Sequence, residues 1–303
     1  MPLTFEDTKY NFKISAPLFF EGVCGRGGQS MPEIIDRKEG RGLFGADPNN
    51  YNEIRPPYPE QIYEFLLTTG ALHADTATLE IGAGNGLATR RLLDLGAHPL
   101  TIIEPDPGFG QLLASLSAGS KAEICCMEGS FEEAELPVGH YDLVAAATSF
   151  HWIQPAIGLA KIARVLKPGG HVAIWWNQFG DTEREDPFHD ATRTILRPLA
   201  ISPSGEPDTV PFALAIPARL RDFAGTGQFE TPEYRAYPWT LVLNTEQVGA
   251  LYATFSSINR LPEEQRKSIL DQLMEVAERQ FGGRVEKNMV SPIYLARRKT
   301  FEA

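Results

Sequence analysis

Hydrophobic positions gather into short runs along the first half of the chain, at residues 77–81, 100–103, 122–127, 141–147 and 171–176. Runs of this length and continuity read as strands buried on both faces, as in a parallel sheet. Around them the apolar positions return at helical spacing, over residues 61–67 (with Pro59 near the start), 87–95, 109–116 and a stretch that ends in the Pro-Gly-Gly of 162–170. Strand and helix therefore alternate, which predicts an α/β fold with a doubly wound sheet. Farther on, residues 234–242 predict a sixth strand, and Thr245 can cap a helix over 246–256. Pro262 opens a helix whose apolar face is Ile269, Leu270, Leu273, Met274 and Ala277; Gly282 and Gly283 stop it. Residues 291–297 form the last strand, and no internal repeat is present.

Two segments break this pattern. Residues 1–43 have no sustained period, and the glycine-rich 22–29 is unsuited to a helix, so an N-terminal arm is expected, with Leu18, Phe19 and Phe20 free to dock on the body or on a second subunit. Residues 181–235 are polar and proline-bearing, with helical spacing only near 189–199 and 217–223. An insertion after the fifth strand lies above the carboxyl edge of the sheet, so this one is expected to cap the substrate. Its apolar residues Phe188, Leu196, Leu199, Phe212, Leu214 and Ile216 would line the acceptor site together with Phe19 and Phe20. The chain thus divides into an arm (1–43), a core (44–180), a cap (181–235) and a segment that completes the core (236–303).

The first strand runs into the sequence TLEIGAGNGL at residues 78–87. Glycines at a sharp strand-to-helix turn let a ligand approach the backbone, so this is a nucleotide-cofactor loop. Its spacing departs from the dinucleotide fingerprint G-x-G-x-x-G/A: the third glycine comes one place early, and Leu87 stands where a small residue belongs. About 20 residues on, the second run ends in Glu104, whose carboxylate can accept both hydroxyls of a ribose.

The set Glu80, Gly82, Gly84, Gly86 resembles the first motif of class I S-adenosylmethionine (SAM) methyltransferases. EIGAGNG, IEPDP, YDLVAAATSFHWI and LKPGGHVAIWW follow one another in the family's order and extend the resemblance over residues 44–177. The resemblance implies a Rossmann-like, seven-stranded, mostly parallel sheet, with the last strand antiparallel beside the fifth. It implies SAM as cofactor and S-adenosylhomocysteine as product, in the broad group that includes trans-aconitate-type and natural-product enzymes. Carried onto this sequence, it sets Tyr51 and Arg55 at the methionine end of SAM, with Arg55 on its carboxylate. Gly82, Ala83, Gly84 and Gly86 would form the loop, Glu104 and Pro105 the ribose site, and Ser130 and Phe131 the adenine site. Thr148, Ser149 and Trp152, past the fourth strand, complete the cofactor set. The family more often has an acidic residue near Ser130, a departure that weakens that one assignment.

Methyl transfer needs collinear alignment and a dry site more than acid–base help. A base matters only if the acceptor must lose a proton, and His151 is the one well-placed candidate, with a cofactor-loop contact as its other reading. Trp175 and Trp176 read as core and pocket wall before they read as a cage for a cation.

Composition narrows the field. A net charge of −11 disfavours a nucleic-acid partner. No segment is apolar enough to span a bilayer, and residues 1–10 lack a signal-peptide core, so a cytoplasmic protein is expected. Cys24, Cys125 and Cys126 have no metal spacing and read as reduced thiols, the adjacent pair pointing to opposite faces of a strand. His189 between Asp186 and Asp190 mimics a metal cluster without a second histidine at helical spacing, so no metal is expected. There is no G-x-S-x-G elbow for a hydrolase. The reading is SAM-dependent methylation of a small or medium-sized, partly apolar acceptor, with a homodimer through the arm as a further expectation. Two alternatives stay open: a SAM-binding fold that catalyses a cyclisation or pericyclic step, and an NAD-dependent oxidoreductase.

Overall fold

The apolar runs become the centre of one sheet. The computed structural model describes residues 33–44, 50, 53–119, 123–204 and 210–300. Its strands are β1 (Thr76–Ile81), β2 (Ala97–Glu104), β3 (Ile124–Glu128), β4 (Tyr141–Ala147), β5 (Leu166–Trp175), β6 (Gln178–Phe179), β7 (Glu233–Asn244) and β8 (Arg284–Arg297). The first five are parallel in the order β3-β2-β1-β4-β5. β8 then runs antiparallel to β5 and to the two-residue β6 along one edge, and antiparallel to β7 along the other. The expected mixed sheet with an antiparallel strand beside the fifth is therefore present, with β6 as an eighth strand too short to leave a sequence signal.

Both faces of the sheet are covered, because β4 from Leu143 onward and β5 from Val172 onward are apolar at every position. Val144, Ala146, Val172 and Ile174 pack on one side with the helices Pro155–Val165 and Ile216–Thr226. Leu143, Ala145, Ala173 and Trp175 pack on the other with Glu60–Thr68 and Leu87–Asp94. A third cluster forms where β7 and β8 extend past the sheet, around Phe188, Leu243, Tyr252, Leu273 and Val285.

This third cluster corrects the expected lining of the cap. Phe188 is fully buried between the rings of Tyr252 and Phe281, and Leu196 and Leu199 pack on the same cluster. Phe212 and Ile216 pack on the main core instead. Apolar side chains at these positions are consumed by core formation, and residues 233–235 already belong to β7. Boundaries shift elsewhere for local reasons. Leu166 pairs with Tyr141, so the Pro-Gly-Gly segment is an irregular start of β5, with Gly169 at φ 80°. Asn244, not Thr245, caps the helix Thr245–Tyr252 through a capping box with Gln247. Cys125 and Cys126 are both exposed on the edge strand β3, and neither is in a disulfide. No helix among the described residues is long and apolar enough to cross a membrane, and they contain no metal-ligand cluster. Most of the N-terminal arm, with Phe19, Phe20, Cys24 and any dimer contact there, lies outside the described residues, as does Tyr51.

An ion pair ties the third cluster together. Lys287, 3% exposed, meets Asp186 at 2.6 Å, and Asp186 also caps the helix Pro187–Leu196 by accepting the His189 N–H at 2.9 Å. Removing one partner strands a buried charge, so Lys287→Met should lower unfolding free energy by about 3–5 kcal/mol in urea titration. Adding Asp186→Asn, which removes the charge and keeps a cap, should restore part of the loss; a single-variant loss under about 1 kcal/mol would show the pair to be inert.

Candidate functional site

β2 and β4 leave β1 on opposite sides, so the carboxyl ends of β1 and β4 bound a crevice at the switch point of the sheet. A cavity of about 300 Å³ opens there. The cofactor-loop residues Gly82, Ala83 and Gly84, together with Asn85, form its floor, and Glu104, Pro105, Phe131, Thr148, Ser149, His151 and Trp152 line its walls. Arg55, Tyr58, Trp176, Asn177, Phe179, Ser202, Ser204 and Phe255–Ser257 line the rest of it.

The loop glycines act for separate reasons. A Cβ on Gly82 would stand 2.6 Å from the Ser149 Cβ, so the turn after β1 can touch the turn after β4 only without a side chain. Gly84, at φ 54°, has no atom within 4 Å of its Cβ position and leaves that space open to the cavity. Gly86 caps the helix Leu87–Asp94 and does not line the cavity.

Two buried carboxyls meet this loop. Glu104 accepts the Gly84 N–H at 2.7 Å and the Asp106 N–H at 2.9 Å. Burial outweighs these bonds and pushes its pKa up to about 7. Glu80, 1% exposed, accepts the Thr89 hydroxyl at 2.6 Å, and its second oxygen has no partner among the described residues. Burial raises it to about 7 as well, against the lowering effect of Thr89. It supports the loop from beneath and forms no part of the cavity wall. Ser130 is also absent from the wall, whereas Phe131 lies in it with the Lys161 ammonium 5.1 Å from its ring centre.

Thr148 is a β-branched residue at φ 52°, a strained backbone for any side chain of that shape. Its hydroxyl oxygen accepts the Tyr58 O–H at 2.9 Å and the Asn177 N–H at 3.3 Å. The Asn177 amide donates to the carbonyls of Pro56 and Pro57, and its oxygen accepts the Ser291 hydroxyl at 2.7 Å. These bonds clamp the segment that carries Arg55 onto the sheet. The Arg55 guanidinium donates to the Thr254 carbonyl at 3.0 Å and lies 5.1 Å from the Phe255 ring centre and 5.5 Å from that of Phe179.

The helix Arg37–Gly40 closes the side of the cavity. A Cβ on Gly40 would collide with the Trp152 ring, Arg37 donates to the His151 carbonyl at 3.2 Å, and Arg41 bonds Glu132 and the Trp152 carbonyl. His151 is 4% exposed, and its Nδ1 accepts the Trp176 indole N–H at 3.1 Å. Burial, reinforced by the charges of Arg37 and Arg55, lowers its pKa to about 3. A ring so held is neutral at ordinary pH and poorly suited to take up a proton, which runs against the general-base expectation. Sequence reading missed Arg41, Tyr58, Asn177, Ser202 and Phe255–Ser257. Tyr58 lies inside the proline-rich segment already singled out, but nothing in the sequence connects Ser256 with a loop some 170 residues earlier.

Comparison with known proteins fits this geometry. A family profile described as "Methyltransferase domain" matches residues 79–174, from β1 to β5. An uncharacterised methyltransferase-like protein of Schizosaccharomyces pombe is 31% identical over 248 residues, which cover 82% of this chain and 89% of that protein. The chain belongs to the class I SAM-dependent methyltransferases. Its cofactor is S-adenosylmethionine, and the NAD reading is overturned. An uncharacterised methyltransferase of Mycobacterium bovis is 34% identical over 134 residues, 44% of this chain and 51% of that protein. Among solved structures, the [4+2]-cyclase SpnF superposes with TM-score 0.56 at 14% identity, over 90% of this chain and all of that one. The Haemonchus contortus phosphoethanolamine N-methyltransferase 2, in complex with phosphomonomethylethanolamine and S-adenosylhomocysteine, gives TM-score 0.54 at 14% identity, over 88% of this chain and 61% of that one. At such identities the likeness is one of fold.

The methyltransferase loop yields a direct contrast. Gly82→Ala combines a left-handed backbone with a collision and should cost about 2–3 kcal/mol, whereas Gly84→Ala meets open space and should cost about 1 kcal/mol. Thermal unfolding of the two variants checks this; equal losses would mean that the Gly82–Ser149 contact can relax.

Proposed function

We propose that this methyltransferase transfers the methyl group of SAM to a small or medium-sized, partly apolar organic acceptor, chiefly by proximity and orientation. The observation that carries the reading is the continuity of the cavity: one space runs from Glu104 and the glycine loop to Trp176, Phe179, Ser202 and Phe255. The residues present fit the cofactor. Gly84 leaves space where a side chain would intrude, and the Glu104 carboxyl lies in the wall at the end of β2. Bound SAM supplies a methyl group on a positively charged sulfur, whose departure needs no acid.

The chain's own residues bind and orient. Glu104 accepts the ribose hydroxyls, beside Pro105. Phe131 packs on the adenine, and Arg55 serves the carboxylate of the methionine end while Thr254 and the two aromatic rings hold its guanidinium. Ala83, Ser149 and Trp152 wall the cofactor, and Thr148 holds Tyr58 in the wall. Arg41, the loop at Ser202 and Ser204, and Phe255–Ser257 exclude water above the acceptor. The first two pieces lie in the arm and in the insertion over 181–235, to which the sequence reading gave this role; Phe255–Ser257 adds a third. The nucleic-acid-free, cytoplasmic setting expected from composition belongs to the same proposal.

Two measurements test it. Ribose hydroxyls donate to the ionised form of Glu104, so SAM affinity should rise as pH rises through about 7 and weaken by up to about tenfold per unit below it. Glu104→Gln should remove this dependence and cost about 1.5–3 kcal/mol, roughly 10–150-fold in affinity by calorimetry. A pH-independent affinity with an intact fold would displace Glu104 from the ribose. Mass analysis of products from a broad acceptor panel should find one added methyl group with stoichiometric S-adenosylhomocysteine. A converted product with SAM left whole would favour the cyclisation or pericyclic reading.

A further inference from the structure

His151 and Trp176 are both buried, and the only donor of an indole is its N–H. Because the Trp176 Nε1–H points at His151 Nδ1 over 3.1 Å, Nδ1 must present a lone pair. A neutral imidazole carries one ring proton, which leaves it on Nε2. The opposite tautomer would set N–H against N–H, and so would the cation. His151 lines the cavity, and its Nε2 has no protein partner among the described residues.

Among the described residues that line the cavity, the other candidate bases are engaged. The Tyr58 hydroxyl donates to Thr148, and Glu132 is paired with Arg41. Glu104 is held against the glycine loop, where it accepts the Gly84 N–H. A fixed N–H donor, with every other proton acceptor among the described lining residues already engaged, is matched to an oxygen that has no proton to lose.

We propose that Trp176 fixes His151 as an Nε2–H donor, and that this donor recognises an acceptor whose reacting oxygen arrives already ionised, as a carboxylate, phenolate or enolate. Transfer to such an oxygen forms the oxygen–carbon bond and breaks the carbon–sulfur bond, with the electron pair going to sulfur and no proton to place. His151 thereby selects and orients the acceptor, and Trp176 is a positioning residue that acts through it. The proposal rests on the methyl-transfer reading above.

The tautomer is read directly by 15N NMR of histidine-labelled full-length protein, with the His151 signal assigned by its loss in His151→Gln. Wild type should give an Nε2–H pattern, and Trp176→Phe should lose it or mix it with the other tautomer; an Nδ1–H pattern in wild type overturns the lock. Turnover is measured with benzoate and 4-nitrophenol, ionised at pH 8, against benzylamine and benzyl alcohol. With the ionised acceptors, His151→Phe should raise KM about 10–100-fold with kcat nearly unchanged, and His151→Gln, which keeps a donor, should recover most of it. SAM affinity should not move in either variant. A loss in kcat of about 100-fold or more that Gln fails to rescue would make His151 a base and overturn the inference. No turnover of the ionised acceptors, or turnover confined to the amine and the alcohol, would also overturn it; methylated benzylamine would do so while leaving the methyl-transfer reading standing.

Discussion

The contact between Gly82 and Ser149 is the constraint on which the rest of the site depends. Two parallel strands leave the sheet in adjacent places, and their outgoing turns must pass each other where space is least. The Ser149 hydroxyl donates to the Ile81 carbonyl at 2.5 Å, so the second turn is anchored to the last residue of the first strand. With the turns held together, Glu104 can reach the Gly84 N–H from β2, and Thr148 can bind Tyr58 and Asn177 on the far side. The strained backbone at Thr148 belongs to the same arrangement: a chain that must turn sharply over a neighbouring loop has few other conformations.

Burial sets the chemistry at both ends of this contact. Glu80 and Glu104 both lose water, and each is held closer to neutrality than a surface carboxyl. Glu104 keeps an approach from the cavity, so a ligand can supply the missing polar partners; Glu80 is sealed beneath the loop and depends on Thr89 alone. His151 follows the same rule with opposite sign, since removal from water favours its neutral ring. One physical effect therefore yields an acid poised near neutrality and an imidazole far from it, both in the wall of one cavity.

Much of the core could be read from the sequence because its signals are local. Mostly apolar runs at β1, β2 and β4 mark strands buried on both faces, and the three glycines of the loop answer to a left-handed backbone that other residues rarely adopt. The acceptor end was less legible. Its walls come from Arg41, Ser202, Asn177 and Phe255–Ser257, segments that meet only after the sheet has formed. The apolar residues of 181–235 misled for a related reason: hydrophobicity marks burial but not which core receives it, and Phe188 went to a satellite cluster. The tautomer of His151 was beyond sequence reading altogether, because it is set by an indole 25 residues away whose direction depends on β5.

The placement of β8 has a consequence for how the chain comes together in time. β8 supplies partners to β5 on one edge and to β7 on the other, although it follows both in sequence. Until residues 284–297 emerge during synthesis, the apolar Val172, Ile174 and Trp175 present an unpaired edge beside an already assembled parallel sheet. Such edges invite pairing with other chains. A nascent chain arrested before β8 would carry most of the cofactor loop in place and still be prone to aggregate, so completion of the last strand, rather than of the glycine loop, governs when this protein becomes safe to release.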